Sequence, residues 1–201
     1  MGKKWVVGNW KMHGCQAFTK GWAEEFQACC RCRISPPSEV HTIVCPFFPY
    51  LLSFLSAFAD NSEPLVHLGA QNCRESQARA YTGSISASML KDVGCEAVIV
   101  GHSERRRHQQ EGSPLIQRKI QEVCKAGLTA VVCVGETEQA HKAGKELSAI
   151  SEQLDQSIPP QTQALAVAYE PLWAIGMGAT PSASRVVRIH QFIKKNICKA
   201  H

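Results

Sequence analysis

The sequence predicts an α/β protein built on a parallel sheet. Six short, β-branched runs alternate with longer amphipathic segments, the order of repeated strand–helix units. Each run is continuously apolar instead of alternating, as strands buried on both faces are.

The elements follow in order. Trp5-Val6-Val7-Gly8 reads as the first strand, and a helical pattern covers 16–32. Ser35-Pro36-Pro37-Ser38 reads as a loop. Thr42-Ile43-Val44-Cys45 then leads to a helical pattern over 49–59. Val66-His67-Leu68-Gly69-Ala70 precedes a helix over 86–93, with Ser86 as its start signal. Ala97-Val98-Ile99-Val100-Gly101 precedes a helix over 113–126. Ala130-Val131-Val132-Cys133-Val134 precedes one over 138–156, opened by Thr137. Leu165-Ala166-Val167-Ala168-Tyr169 precedes one over 182–197, opened by Ser182 after Pro181. Gly94 and Gly127 stand just past helix ends, where a left-handed residue is easiest to place. A spacing of about 30 residues per unit suits a (β/α) barrel, whose usual form has eight strands in ~250 residues. A doubly wound open sheet fits the pattern equally. One domain is expected over residues 1–201.

Composition narrows the function classes. Hydrophobic residues make up 44% and charged residues 19%, a globular balance. The net charge of +5 is spread along the chain, which argues against nucleic acid and suits a small anionic substrate. No stretch approaches the ~20 apolar residues of a membrane span. The first residues lack a signal peptide's apolar region, and Val6 stands where a myristoylation motif on Gly2 wants Ser or Thr. A cytoplasmic protein is expected. The ten cysteines, three of them crowded at Cys29, Cys30 and Cys32, are expected as reduced thiols used as small apolar side chains. They show no paired spacing for a metal site.

In such folds functional residues sit at the carboxyl ends of strands. Asn9, Trp10 and Lys11 follow the first strand. His102, Ser103, Glu104, Arg105 and Arg106 follow the fourth. Glu170 follows the sixth, with Pro171-Leu172-Trp173-Ala174-Ile175-Gly176-Met177-Gly178 after it. A carboxylate, an imidazole and an ammonium suit proton shuttling beside a carbonyl. The carboxylate removes a carbon-bound proton, the imidazole donates to the oxygen, and the ammonium stabilises developing charge. The Gly-rich segment could close as a lid. Taken singly, each residue has a plainer role: a solvated lysine, a structural histidine, a carboxylate at a helix N-terminus. Pattern alone leaves an isomerase or a lyase open.

Longer strings identify the family. Val7-Gly8-Asn9-Trp10-Lys11-Met12, Gly69-Ala70-Gln71-Asn72, Ala80-Tyr81-Thr82-Gly83 and Ser86-Ala87-Ser88-Met89-Leu90-Lys91-Asp92 resemble the signatures of triosephosphate isomerases. So do Val100-Gly101-His102-Ser103-Glu104-Arg105-Arg106, Cys133-Val134-Gly135-Glu136-Thr137 and Ala168-Tyr169-Glu170-Pro171-Leu172-Trp173-Ala174-Ile175-Gly176. They occur in the family's order from Lys4 to about Ile197. The resemblance implies a TIM barrel that interconverts dihydroxyacetone phosphate and D-glyceraldehyde 3-phosphate through an enediolate, with no metal or organic cofactor. It implies Glu170 as the base, His102 as the electrophile, Lys11 and Asn9 at the substrate oxygens, and Glu104 as the carboxylate that contacts the lysine. The neutral histidine beside a glutamate base is this family's own well-known arrangement and is not deduced from spacing. Gly176 matches the amide that grips phosphate, and Thr82 matches the tip of a dimer loop, so a homodimer is implied. No nucleic-acid or membrane partner is implied.

Departures from the family pattern set further expectations. The family continues with a seventh strand carrying Tyr-Gly-Gly-Ser and an eighth carrying a Gly-Gly pair. Nothing after Ile197 resembles them, so about six of eight units are expected. A non-catalytic remnant or truncated product is the alternative to an active isomerase. Arg79 replaces a usual glycine, where a side chain is expected to obstruct a left-handed backbone. Ser84 replaces a usual glutamate and His13 a usual asparagine. Of Arg105, Arg106 and Arg107, the third is expected to be solvated.

Overall fold

The computed structural model of the chain describes residues 4–32, 40–59, 65–77, 79–176 and 178–200. Gly2 and the loop Ser35-Pro36-Pro37-Ser38 lie outside the described residues. Two compact units divide the chain, Met1–Val98 and Ile99–His201.

The first unit contains β1 (Lys4–Asn9), α1 (Gln16–Cys32), β2 (Val40–Cys45), α2 (Leu51–Ala57), β3 (His67–Ala70) and α3 (Ala87–Val93). It ends in β4 (Ala97–Val100), which runs on into the second unit. The strands lie in the order β1-β2-β3-β4, each parallel to the next. Register runs from Lys4↔Val40 to Asn9↔Cys45, then Ile43↔His67, then Gly69↔Ala97. α1 and α2 meet through an aromatic cluster. Trp22 stacks on Phe26 at 5.0 Å and touches Trp10 at 5.5 Å and Phe54 at 5.8 Å. Such rings bring large apolar area and edge-to-face contacts worth about 0.5–1.5 kcal/mol each beyond burial. The expected helix over 49–59 begins as a tighter turn, Phe48–Tyr50, with Pro49 in its first positions, where no amide hydrogen is needed. Ser86 caps α3 by accepting from the Met89 amide, and Gly94 closes it in the left-handed region, as expected.

The second unit contains α4 (Ser103–His108), α5 (Ser113–Lys125), β5 (Thr129–Val134), α6 (Glu138–Lys142), α7 (Glu146–Ser157), β6 (Leu165–Tyr169) and α8 (Ala183–Ala200). β5 lies between β4 and β6, and β5 runs parallel to β6 from Ala130↔Leu165 to Val134↔Tyr169. Two expectations need correction. The single helix expected over 138–156 is two, because Gly144 takes φ +65° and ends the first turn-and-a-half. The short helix α4 was not foreseen, since six residues rich in arginine carry no apolar period. Cys45, Cys73, Cys95 and Cys133 are buried, as small apolar side chains would be. Burial pushes the Cys95 thiol up to about 12. No helix among the described residues is long and apolar enough to cross a membrane.

One buried charge cluster fixes the turn after α4. Glu111 is 4% exposed and Lys119 3%, and their side chains meet at 2.6 Å. Arg105 Nε donates to the same Glu111 oxygen at 2.7 Å. Removing the carboxylate takes the counter-charge at 2.6 Å from a buried ammonium, which costs far more than the pair itself is worth. Glu111→Ala should therefore lower unfolding free energy by about 3–5 kcal/mol. Urea midpoints will check this, and a loss under about 1 kcal/mol would show the cluster to be solvated.

Candidate active site

The site in the second unit is built by two strand ends. β4 stops at Val100, and Gly101 turns the chain so that His102 becomes the N-cap of α4. His102 is 7% exposed. Its Nδ1 accepts the Glu104 backbone N–H at 3.2 Å. An amide only donates, so Nδ1 presents a lone pair and the ring proton sits on Nε2. The Glu104 carboxylate lies farther from Nδ1, at 3.5 Å, and is half exposed, so the amide decides the tautomer. Nε2 lies 2.7 Å from Glu170 Oε1. The other Glu170 oxygen accepts the Ser103 N–H at 3.0 Å.

Glu170 follows β6, and its own N–H donates to the Val134 carbonyl at 2.8 Å. Gly135 makes this approach possible. A Cβ there would lie 1.7 Å from the Glu170 carbonyl oxygen, so no other residue fits without moving the base. Gln153 on α7 clamps Gly135 on both sides, with its oxygen on the Gly135 N–H and its nitrogen on the carbonyl. Arg106, also on α4, donates to the Gly101 and Cys133 carbonyls and ties the two strand ends together. A cavity of about 340 Å³ opens beside them, lined by Ser103, Gly135, Thr137, Glu170 and Leu172. Burial raises the Glu170 carboxyl, but the His102 imidazole and the Ser103 amide outweigh it and hold the group below the ordinary carboxylate range.

The first unit holds Asn9 as the last residue of β1 and Lys11 two residues beyond it. Lys11 has φ +53°, a left-handed backbone that a lysine adopts only under constraint, at a cost of about 1 kcal/mol or more. The constraint is visible. Asn9 Oδ1 accepts the Lys11 N–H at 2.9 Å, and Gln71 Nε2 donates to the Lys11 carbonyl at 2.8 Å and the Cys45 carbonyl at 2.9 Å.

A neutral imidazole donor facing a buried carboxylate suits removal of a proton next to a carbonyl. Comparison with known proteins gives that chemistry a family. The triosephosphate isomerase family profile matches residues 4–201. The triosephosphate isomerase of a Bradyrhizobium species is 44% identical over 193 residues, covering 94% of this chain and 74% of its own length. That of Xanthomonas campestris is 39% identical over 204 residues, covering all of this chain and 78% of its own. The crystal structure of the Bartonella henselae enzyme superimposes with a TM-score of 0.81 at 33% identity, over 95% of this chain and 74% of that one. The chain belongs to the triosephosphate isomerase family. Its α/β class and TIM-barrel fold stand on the same likeness, with six strands among the described residues.

This isomerase family is itself the standard instance of a neutral histidine at a helix N-terminus beside a glutamate base. The residues that position the pair in this chain were less legible. Glu136 is fully buried and stands inside the string Cys133-Val134-Gly135-Glu136-Thr137. Its Oε1 accepts from the Tyr169 hydroxyl at 2.9 Å and from Trp173 Nε1 at 2.7 Å, anchoring the segment after the base. Burial, then the Glu136 carboxylate, pushes the Tyr169 phenol up. His141 stacks flat on Trp173, with centroids 4.2 Å apart. Gly176 and Thr82 are exposed, each in a turn. Arg79 is exposed. Arg107 is exposed, whereas Arg105 and Arg106 are engaged by Glu111 and by backbone carbonyls.

The depressed Glu170 carboxyl has a signed consequence. Its folded value lies below its unfolded one near 4.3, so its stabilisation is complete above that pH and is lost as pH falls through the folded value. Melting temperatures of the parent and Glu170→Gln, followed from about pH 7 to about pH 3, should change relative to each other only in that acidic window, always to the parent's disadvantage. A parallel course throughout would show that His102 and Ser103 do not hold the charged form.

Proposed function

We propose that Glu170 and His102 carry the proton transfers of a triosephosphate isomerase. Glu170 takes the carbon-bound proton next to the carbonyl of dihydroxyacetone phosphate. His102 Nε2–H donates to the carbonyl oxygen as negative charge builds there, giving an enediolate. His102 relays the hydroxyl proton from one enediolate oxygen to the other, Glu170 returns its proton to the neighbouring carbon, and D-glyceraldehyde 3-phosphate results. The observation that carries this reading is the 2.7 Å approach of a donor-only Nε2 to the Glu170 carboxylate. No metal or organic cofactor takes part in the steps.

The other roles follow the family resemblance. Lys11 supplies a cation and Asn9 an amide for the substrate oxygens, and Glu104 positions the lysine. The Gly176 N–H takes a phosphate oxygen, its backbone being open to close approach. Thr82, exposed at its turn, serves a homodimer contact, and the protein works in the cytoplasm without nucleic-acid or membrane partners.

Two variants test the centre. Glu170→Gln should lower turnover in a coupled triose-phosphate assay by about 100- to 10,000-fold, with an unchanged far-UV spectrum. Activity that survives this change removes Glu170 from the role of base. Gly135→Ala should displace the base through the Glu170 carbonyl and lower kcat by about 100-fold with little change in KM. A normal kcat would mean the Gly135–Glu170 approach is not what sets the carboxylate.

A further inference from the structure

The amino ends of β2, β3 and β4 carry a second group of titratable side chains, remote from the strand ends that hold Asn9 and Lys11. His41 is the second residue of β2, His67 opens β3, and Glu96 immediately precedes β4. His67 Nδ1 lies 2.5 Å from Glu96 Oε1, and His41 Nε2 lies 3.2 Å from Glu96 Oε2. The two imidazoles stack with centroids 4.0 Å apart. We propose that His41, His67 and Glu96 form a binding site for one divalent transition-metal ion of the Zn2+ type, which staples the amino ends of three neighbouring strands.

The donor set sets the class of ion. Two imidazole nitrogens and one carboxylate suit Zn2+ and its neighbours, whereas Ca2+ and Mg2+ select oxygen ligands. Three protein ligands leave a fourth position for water. The three ligand atoms lie within 4.8 Å of one another. Around a tetrahedral ion with bonds of about 2.0–2.2 Å, ligand atoms stand about 3.3–3.6 Å apart, so the 2.5 Å His67–Glu96 pair must open by about 1 Å and a pair near the 4.8 Å limit must close by about as much. An ion takes a lone pair from all three groups at once.

The fold holds the ligands in place. Ile43 pairs with His67, and residues 41 and 43 share a face, so His41 and His67 project from the same face of adjoining strands. The Glu96 N–H donates to the Leu68 carbonyl at 2.8 Å, fixing that carboxylate's backbone beside β3. Trp5, in register with His41, packs its ring 4.8 Å away and walls one side. The histidine side chains are 14% and 20% exposed and the glutamate 44%, which leaves an entry for the ion on the glutamate side. His41 stands four residues before Cys45, about 13 Å along β2 at strand rise, so a stabilising rather than a catalytic role fits.

The test uses the whole chain, stripped with a chelator and titrated with Zn2+ by calorimetry and with Co2+ by absorption. One equivalent should bind, with weak visible Co2+ bands and no thiolate charge-transfer band. His67→Gln and Glu96→Gln should each weaken binding by about 100-fold or more. Glu96→Gln alters an exposed side chain and keeps the test valid if His67→Gln misfolds. Zn2+ at about 100 times its Kd should raise the melting temperature by about 5 °C or more in the parent and not in the variants. A thiolate band, binding unchanged in both variants, or no stoichiometric binding would each overturn the site and leave a plain hydrogen-bonded triad.

Discussion

A backbone amide can only donate, and the one from Glu104 points at His102 Nδ1. That single contact assigns the ring proton to Nε2 and makes the imidazole a donor toward Glu170. The neighbouring Ser103 amide points at the other side of the same carboxylate. The imidazole and the carboxylate are therefore both aimed by the first turn of one six-residue helix. A helix so short has little stability of its own. It is held from outside, by Arg106 bonded to the Gly101 and Cys133 carbonyls and by Arg105 bonded to Glu111. The buried Glu111–Lys119 pair thus contributes to function through geometry, although as an ion pair it adds little net stability.

Glu170 is set from the opposite side by packing rather than by charge. Gly135 lets the Glu170 backbone come closer than any Cβ would permit, and Gln153 fixes Gly135 with two hydrogen bonds. Glu136 continues the same turn into the core, where Tyr169 and Trp173 both donate to one of its oxygens. Tyr169 precedes the base and Trp173 follows it by three residues. One buried carboxylate therefore fixes the chain on both sides of Glu170. Such a network stabilises the site only while every donor is engaged, because a buried carboxylate that loses donors is costly.

Much of this was legible in the sequence, and the limits have physical reasons. The six strands appear within two residues of where their apolar runs stand, since burial on both faces leaves a continuous signal. Ser86, Thr137 and Gly94 marked helix ends because capping is local chemistry. The break at Gly144 was missed because the apolar period resumes on its far side. α4 was missed because its arginines face fixed partners, a fact no period records. His102 and Glu170 were found from their places after strands and from the family strings. Glu136, Gln153 and Glu111 were not singled out, because their work is done across 18 or more residues of chain or inside the core, where a polar residue resembles a surface one until its partners are seen.

The first unit shows how strain at one end of a strand depends on order elsewhere. Lys11 keeps a left-handed backbone only because Asn9 and Gln71 fix its amide and its carbonyl. Gln71 follows β3 and also grips Cys45 at the end of β2, so the strain is held by the relative placement of β1, β2 and β3. A strained conformation persists when its surroundings over-determine it. Hydrogen bonds at the carboxyl ends supply part of that. The His41–Glu96–His67 contacts at the amino ends join β2 and β3 to the residue preceding β4, and so limit the sliding of strands that would let Lys11 relax. Contacts at the amino ends of strands can in this way support a cation presented at their carboxyl ends.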